Sequence, residues 1–394
     1  MEYILRHIQR QGIFGWLYFA NLFYGLHFYA VLYINSSFLE RHLSQSEVGF
    51  VFAVSSLLAV FTLASAPLFL RKIGNYNMAL LVTGMNLSAV LGLSFVTELG
   101  WILVLFAIHT MLLSLTLLSF DIFIESNTTD ENTTGSVRGI FLSMGLIAAL
   151  FSPFIASRIA GEGAQYELVY FIAGLYLVPI VLILSLRFKN FLDPVYQALS
   201  PRKMMRAVWH NENIWRISMA QFLMRFFLSW YVVYMPLHLH LNVGFTWPEI
   251  GLILFLMLIP YVVLEYPAGK IADRWLGEKE ILTLGFVIMG VSTLAFFWLE
   301  STSLWVWAGF LMATRAGAAL VEVMTETHFF RMVNGADVSI LSIFRMVRPI
   351  AYTLGPGIAG VFLFFTNDIR YLWLILAGIM LIGVYQALRL KDSK

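Results

Sequence analysis

The 394-residue chain contains no cysteine, and only 12% of its residues are charged. Without cysteine there is no disulfide and no thiol chemistry. The sequence also lacks a His-Glu-x-x-His pair, a Gly-x-Ser-x-Gly turn and a phosphate-binding loop, so it predicts no zinc or serine hydrolase and no ATP-driven pump. The net charge is +2, with no basic stripe suited to nucleic acid. We therefore expect a protein that is not an enzyme, without cofactor, metal site or nucleic-acid partner.

Apolar residues dominate the chain, at 60% of the total against about 45–50% in an ordinary soluble domain. They form twelve runs, each close to the ~20 residues that cross a bilayer. The runs lack the polar alternation of a membrane β-barrel. The predicted fold is an all-α integral membrane protein with about twelve transmembrane helices, at residues 13–36, 48–70, 76–97, 101–122, 137–160, 167–187, 214–237, 248–268, 280–299, 303–326, 339–365 and 370–389.

The basic residues are distributed unequally between the loops on the two sides of these spans. Of the 25 Lys and Arg residues, only Arg41, Arg158 and Arg370 lie on the side opposite the N-terminus, and Arg225 and Arg315 lie within spans. Cytoplasmic loops carry such an excess of positive charge. The asymmetry predicts a multi-pass protein of the plasma (inner) membrane with both termini in the cytoplasm.

The two halves of the chain repeat each other at an offset of about 202 residues. Three pairs of segments match at equivalent places: Ser46-Glu47-Val48-Gly49 with Pro248-Glu249-Ile250-Gly251, Asp121 and Glu125 with Glu322 and Glu326, and Ser152-Pro153 with Gly355-Pro356. Repeats of six spans are parallel, related by an axis along the membrane normal. The predicted domains are an N-terminal six-helix bundle at 1–187, a cytoplasmic linker with a short surface helix at 188–213, and a C-terminal bundle at 214–394.

A charged turn at residues 269–279 interrupts the apolar sequence of the second half, and 67–74 is a degraded copy of it in the first half. Gly269, Asp273, Arg274, Gly277 and Lys279 match the pattern Gly-x-x-x-Asp-Arg-x-Gly-Arg-Lys, with one extra residue before Gly277. Glycine at 269 permits close helix approach, and at 277 a tight turn. This turn and the six-plus-six parallel arrangement resemble the major facilitator superfamily of transporters. The degraded copy departs from the pattern, because Arg71 stands where the acid is expected.

The resemblance implies roles for several residues. The turn holds the two bundles together in one state, with Arg138 as a partner for Asp273. The first, fourth, seventh and tenth helices line a central cavity. The seventh carries a polar stripe of Ser218, Gln221, Arg225 and Ser229, and the tenth carries Arg315. An intramembrane charge costs about 2.5–3.5 kcal/mol, so Arg225 and Arg315 are candidate substrate residues for an anionic or strongly polar ligand.

Acidic residues near the spans allow two uses, which the sequence leaves open. Glu322 and Glu326 lie on one face of the tenth helix, and Asp121 and Glu125 are their counterparts on the fourth. These acids, with Glu265, are either a proton relay or structural partners of Arg345 and Arg348. In the first half, Asn21, Tyr24 and His27 share one face of the first helix, and His109 lies in the middle of the fourth span. These four residues, with Gln221 and Ser229, are further candidates for the central substrate cavity. Each histidine either shuttles protons in the cavity or is a satisfied polar residue in the bundle.

The sequence thus predicts a secondary active transporter that moves a small solute by alternating access, coupled to protons. It would act as a monomer in the lipid bilayer. An uncoupled facilitator and a drug/proton exporter remain open alternatives, and a membrane sensor derived from a transporter is an alternative of a different class.

Overall fold

The computed structural model of the protein describes the backbone of residues 2–127, 131–194, 196, 212–274, 277–332, 338–366 and 368–390. Within these ranges, side chains are described except at 2–11, 131–136, 138–139, 265–266, 269–274, 330–332 and 338–345. Every regular element in the described ranges is a helix, which confirms the predicted all-α fold. The chain divides into two compact units, one of residues 1–35 and 54–198 and the other of residues 36–53 and 199–394.

The helices of the N-terminal part are α1 Glu2–Leu32, α2 Asn35–Glu40, α3 Gln45–Leu93, α4 Leu99–Asn127, α5 Glu131–Ala160, α6 Tyr166–Leu175 and α7 Leu177–Arg187. α3 contains the second and third predicted spans. The two spans are separated by a kink at Gly74, which has φ 76° and ψ 166°. The single span predicted at 167–187 is divided at Tyr176. Pro179 lacks the N–H that would bond to the carbonyl of Leu175, which explains the break.

The helices of the C-terminal part are α8 Glu212–Leu237, α9 Trp247–Arg274, α10 Glu278–Ala295, α11 Leu304–Met332, α12 Val338–Thr366 and α13 Arg370–Leu388. A π-helical turn, His238–Val243, continues α8 and ends at Gly244 with φ 88°. Ten helices of the described residues are long and apolar enough to cross a membrane. With α3 counted twice and α10 added, this agrees with about twelve spans. Residues 195 and 197–211 of the predicted linker lie outside the described residues.

The repeated Glu47 and Glu249 have the same structural role in the two halves. Each carboxylate accepts hydrogen bonds from the backbone N–H and the hydroxyl of the residue three positions earlier. Ser44 donates to Glu47 at 2.8 and 2.7 Å, and Thr246 donates to Glu249 at 2.8 and 2.7 Å. This is a capping box, which satisfies free N–H groups at a helix start. Part of the repeat is therefore a pair of equivalent helix starts.

Close backbone approach in the second unit depends on glycine. A Cβ at Gly285 of α10 would lie 2.8 Å from the carbonyl oxygen of Gly317 in α11, and one at Gly317 would lie 2.6 Å from that of Gly285. α12 is approached in the same way, since a Cβ at Gly355 would lie 2.0 Å from the Ser229 hydroxyl. These contacts agree with small residues being the usual means of close packing between membrane helices.

Candidate functional site

An ion pair joins α8 and α11 within the second unit. Arg225 Nη2 donates to Glu322 Oε1 at 2.6 Å, and the two side chains are 16% and 20% exposed. The pair brings together two of the residues that the sequence singled out on different helices. Both side chains are therefore mostly buried, and a small part of each is exposed.

Gln221 extends this pair into a short network. With the amide oriented so that both of its ends are satisfied, its oxygen accepts from Arg225 Nε and Nη2 at 3.2 Å and its nitrogen donates to Thr325 Oγ1 at 2.7 Å. The Thr325 hydroxyl donates in turn to the carbonyl oxygen of Glu322 at 3.0 Å. These hydrogen bonds join the four side chains, an arrangement that fixes their positions. We call Gln221, Arg225, Glu322 and Thr325 the charge-pair network.

Arg315 of α11 lies against an aromatic ring. Its guanidinium carbon is 5.5 Å from the centre of the Tyr231 ring, and the residue is only 3% exposed. Tyr231 is held by a 2.8 Å hydrogen bond between its hydroxyl and that of Thr293. A cation over an aromatic face is an attractive contact. Arg315 and Arg225 therefore have different neighbours: Arg225 pairs with Glu322, and Arg315 lies over the Tyr231 ring.

Two other members of the predicted polar stripe do not join the charge-pair network. Ser229 donates to the carbonyl oxygen of Phe226 in its own helix at 2.6 Å and packs against Gly355 of α12. Ser218 is 5% exposed, and its hydroxyl has no hydrogen bond within the described part of the chain. Residues of the stripe thus contact two different helices, Arg225 contacting α11 and Ser229 contacting α12.

In the first unit, His27, Asn86 and His109 form a buried chain of hydrogen bonds. His27 Nδ1 donates to the carbonyl oxygen of Ala173 at 3.0 Å, and Asn86 Nδ2 donates to His27 Nε2 at 3.3 Å. His109 Nδ1 donates to Asn86 Oδ1 at 2.8 Å. All three side chains are fully buried. The pattern requires the His27 imidazole to be neutral, because its Nδ1 donates one hydrogen bond while its Nε2 accepts another.

The other two predicted residues of this region bond to backbone. Asn21 Nδ2 donates to the carbonyl oxygen of Phe141 at 2.6 Å, and the Tyr24 hydroxyl donates to that of Leu113 at 3.0 Å. Both residues are nearly inaccessible, at 5% and 3% exposed. Their assignment to a substrate cavity stays a prediction.

The chain is similar to known proteins in both sequence and fold. Residues 217–394 match the family model of the Major Facilitator Superfamily. A mutant of the nucleoside transporter NupG superimposes with a TM-score of 0.76 at 14% identity, covering 96% of this chain and 99% of that one. A bacterial homologue of the human lysosomal transporter Spinster, inward-facing and unoccupied, gives 0.68 at 14% identity, covering 96% and 93%. No curated protein matches the chain in sequence.

Residues 217–394 thus match the Major Facilitator Superfamily in sequence, and nearly the whole chain has the fold of two transporters. The resemblance predicted from the charged turn is thereby confirmed. Low identity to both structures means that they define the fold and leave the solute open.

The signature turn of the superfamily is only partly described. The structure does not describe the surroundings of Gly269 or the side chains of Asp273, Arg274 and Arg138. Their gating role therefore stays a prediction. Gly277 is the N-cap of α10 with φ −70° and ψ 164°, a conformation open to any residue, so the turn there does not require glycine. Lys279 lies in the first turn of α10, where its carbonyl oxygen accepts from Thr283 at 2.8 Å.

A buried histidine–glutamate pair beside this turn was not predicted. His328 Nδ1 lies 2.5 Å from Glu278 Oε2, with the side chains 0% and 3% exposed. The sequence signal was present, because Glu278 belongs to the charged turn and His328 is two residues beyond Glu326. The pair connects the start of α10 to the end of α11.

In the degraded copy of the turn, at residues 67–74, a carboxylate is supplied by Asp193 from a distant part of the sequence. Asp193, beyond α7, accepts from the backbone N–H of Asn75 at 2.7 Å and from the Tyr196 hydroxyl at 2.5 Å. Arg71 Nε donates to the Tyr196 carbonyl oxygen at 2.9 Å. Burial, followed by the hydrogen bond to Asp193, raises the pKa of Tyr196. Asp193 thus holds the turn in which Arg71 replaces the expected acid.

The remaining predicted acids and bases have varied surroundings. Glu125 and Glu326 are exposed, and Asp121 is half-buried. The guanidinium carbon of Arg348 is 5.8 Å from the centre of the Tyr352 ring. The side chains of Glu265 and Arg345 lie outside the described residues. Glu322 pairs directly with Arg225, and the choice between proton relay and structural pairing stays a prediction for the whole set of acids.

Proposed function

We propose that this superfamily member is a secondary active transporter that moves a small polar solute by alternating access, coupled to protons. The observation that carries the proposal is the ion pair between Arg225 and Glu322, 2.6 Å apart on two apolar helices. Charges in membrane helices are costly and usually mark solute or ion pathways. Gln221 and Thr325, the other members of the charge-pair network, hold this ion pair in place.

The pair provides a physical route for coupling. When Glu322 takes up a proton, its carboxylate loses the negative charge that attracts Arg225. The guanidinium is then free to bind a polar or anionic group of the solute. Release of the proton restores the pair and displaces the solute. Proton binding and solute binding thus share one residue pair, which makes the two events energetically coupled.

The pair also narrows the solute class. Glu322 neutralises Arg225 in the unprotonated state, so an argument for an anionic solute depends on Arg315 alone. We therefore propose a polar solute with several hydrogen-bonding groups. One structural neighbour is a nucleoside transporter, and nucleosides are for that reason the first class to test.

Uptake into proteoliposomes tests the proposal. Purified full-length protein is reconstituted with an imposed proton gradient, and uptake of labelled nucleosides, sugars and carboxylic acids is measured against protein-free liposomes. We expect concentrative uptake of one class that stops when an ionophore collapses the gradient. Uptake that only equilibrates and ignores the ionophore would identify an uncoupled facilitator. Absence of movement for every class would refute solute transport in favour of a sensor.

We also propose that the protein lies in the plasma (inner) membrane as a monomer, with both termini in the cytoplasm. The asymmetric distribution of its basic residues supports this orientation. The proposed bundles, 1–187 and 214–394, are the two bodies that would move in alternating access, with 188–213 as their linker.

A further inference from the structure

A polar cavity opens in the second unit where α8, α10 and α12 end. It has a volume of about 520 Å³ and is lined by His238, Asn242, Glu300, Ser301, Asp368 and Arg370, among others. Ligand sites usually enclose about 300–1,000 Å³. We call it the His238 pocket. Under the orientation proposed above it faces the outside, and it is separate from the charge-pair network.

His238 is the buried group of this pocket. It begins the π-helical turn His238–Val243, a rare conformation that often marks functional sites. Its ring lies 5.4 Å from that of Trp307 and 5.8 Å from that of Trp373, edge-on to both. The residue is only 3% exposed, yet its Nδ1 makes no hydrogen bond within the described residues. An unbonded buried polar atom costs about 1–3 kcal/mol, which a bound donor would recover.

The charges around the pocket favour a cation. Arg370 is matched by Asp368: its Nη2 lies 2.9 Å from Oδ2 and its Nε 3.2 Å from both carboxylate oxygens. These bonds hold the pKa of Asp368 below its usual range. Glu300 is a second, exposed carboxylate on the same lining. Two carboxylates against one guanidinium leave the pocket with a net negative charge.

The lining suits an organic cation better than a metal ion. Among the described residues, no group of three His, Asp or Glu side chains is close enough together to hold a metal. The cavity is also much larger than one ion requires. A primary ammonium group carries three N–H donors, and the lining offers three acceptors in His238 Nδ1, the Glu300 carboxylate and the Ser301 hydroxyl.

We propose that the His238 pocket binds a small organic cation with a primary ammonium group, at a site distinct from the transport pathway. The ammonium group donates to His238 Nδ1 and pairs with Glu300. Its binding does not require that the protein transport the same molecule, so the proposal can fail or succeed independently of the proposed function.

Equilibrium binding to the full-length protein in lipid nanodiscs tests the site, with ethanolamine as the probe. Choline has the same hydroxyl arm but no N–H donor, glycerol has no charge, and acetate has the opposite charge. We expect ethanolamine to bind about tenfold more tightly than choline, as the loss of one charge-assisted hydrogen bond implies. Equal binding of choline, glycerol or acetate, or no ethanolamine binding, would overturn the proposal.

Substitutions locate the binding. Glu300→Gln and His238→Phe should each weaken ethanolamine binding about tenfold, and Glu162→Gln, an exposed carboxylate on a loop of the other unit, should leave it unchanged. Glu322→Gln should also have no effect. Loss of binding in Glu322→Gln with retention in Glu300→Gln would place the cation at the charge-pair network and overturn the proposal. Glu300 is exposed, so its variant decides the matter even if His238→Phe does not fold.

Discussion

Arg225 of α8 and Glu322 of α11 form an ion pair at 2.6 Å, and Gln221 contacts the same guanidinium from one turn earlier. The two charges stabilise each other in a setting where either alone is unfavourable. Removing one charge should therefore do more harm than removing both, a relation that a double-mutant cycle measures directly.

We predict that Arg225→Gln and Glu322→Gln each lower stability by about 1–3 kcal/mol, with the partly exposed pair at the lower end of the values known for buried pairs. The double variant should recover most of that loss. It should nevertheless lack uptake driven by a proton gradient, because the group that takes up the proton is absent. Thermal unfolding of purified protein and proteoliposome uptake are the two measurements. Gradient-driven uptake by the double variant would remove the pair from the coupling mechanism.

The buried chain of His27, Asn86 and His109 leads to a prediction about stability. Asn86→Leu removes one acceptor and one donor, leaving both imidazoles without their shared partner. We expect destabilisation of about 2–6 kcal/mol, from about 1–3 kcal/mol for each of the two buried groups left unpaired. The matched control is Asn77→Leu on the same helix, because Asn77 is exposed and bonds only to the Ile73 carbonyl of its own helix. Equal unfolding temperatures for the two variants would contradict the prediction.

The turn at Gly74 leads to a prediction about backbone conformation. Gly74 has φ 76°, and a Cβ there would lie 2.3 Å from Asp193 Oδ2. Gly74→Ala should cost about 1–3 kcal/mol, because this combination of φ and ψ is essentially restricted to glycine. Gly84→Ala is the control, since its added Cβ meets no atom within 4 Å. Circular dichroism during thermal unfolding compares the two. A smaller loss for Gly74→Ala than for Gly84→Ala would mean that the turn rearranges freely.

Asp193 should matter for the same turn. Asp193→Ala removes the acceptor of the Asn75 N–H and of the Tyr196 hydroxyl, so we expect a loss of about 1–3 kcal/mol. Because the carboxylate contributes to the raised pKa of Tyr196, the same variant should lower that pKa. Ultraviolet titration of the tyrosinate follows the change. An unchanged Tyr196 pKa would show that burial alone sets it.

The helices were predictable from the sequence because run length and charge position determine them locally. Arg71 and Lys72 interrupt the apolar sequence, and the structure has its kink at Gly74 within the same turn. The repeated Glu47 and Glu249 were recognisable for a similar reason, since a capping box involves residues only three apart. Local signals of this kind can be recognised in the sequence without knowing which helices pack together.

The partners of the polar residues were less predictable, because they come from other helices. Arg225 and Ser229 share one stripe by spacing, but four residues turn the helix by about 400°, leaving a 40° offset. That offset is enough for Arg225 to contact α11 and Ser229 to contact α12. Asn86, Asp193 and the pair of Glu278 with His328 were missed for the same reason, since each is defined by a residue distant in sequence.

The absence of cysteine makes the proposed orientation directly measurable. Each single-cysteine variant of this chain contains only one thiol, so labelling by a membrane-impermeant maleimide has no background. Glu162 and Thr302 lie on exposed loops at one end of their units, and Lys189 follows α7 at the opposite end of the first unit. We expect Glu162→Cys and Thr302→Cys to be labelled in intact cells, and Lys189→Cys only after permeabilisation. The unsubstituted chain is the control and should remain unlabelled. The reverse pattern would invert the orientation and place the His238 pocket on the cytoplasmic side, whereas labelling of Glu162→Cys and Thr302→Cys on different sides would mean an odd number of crossings between them.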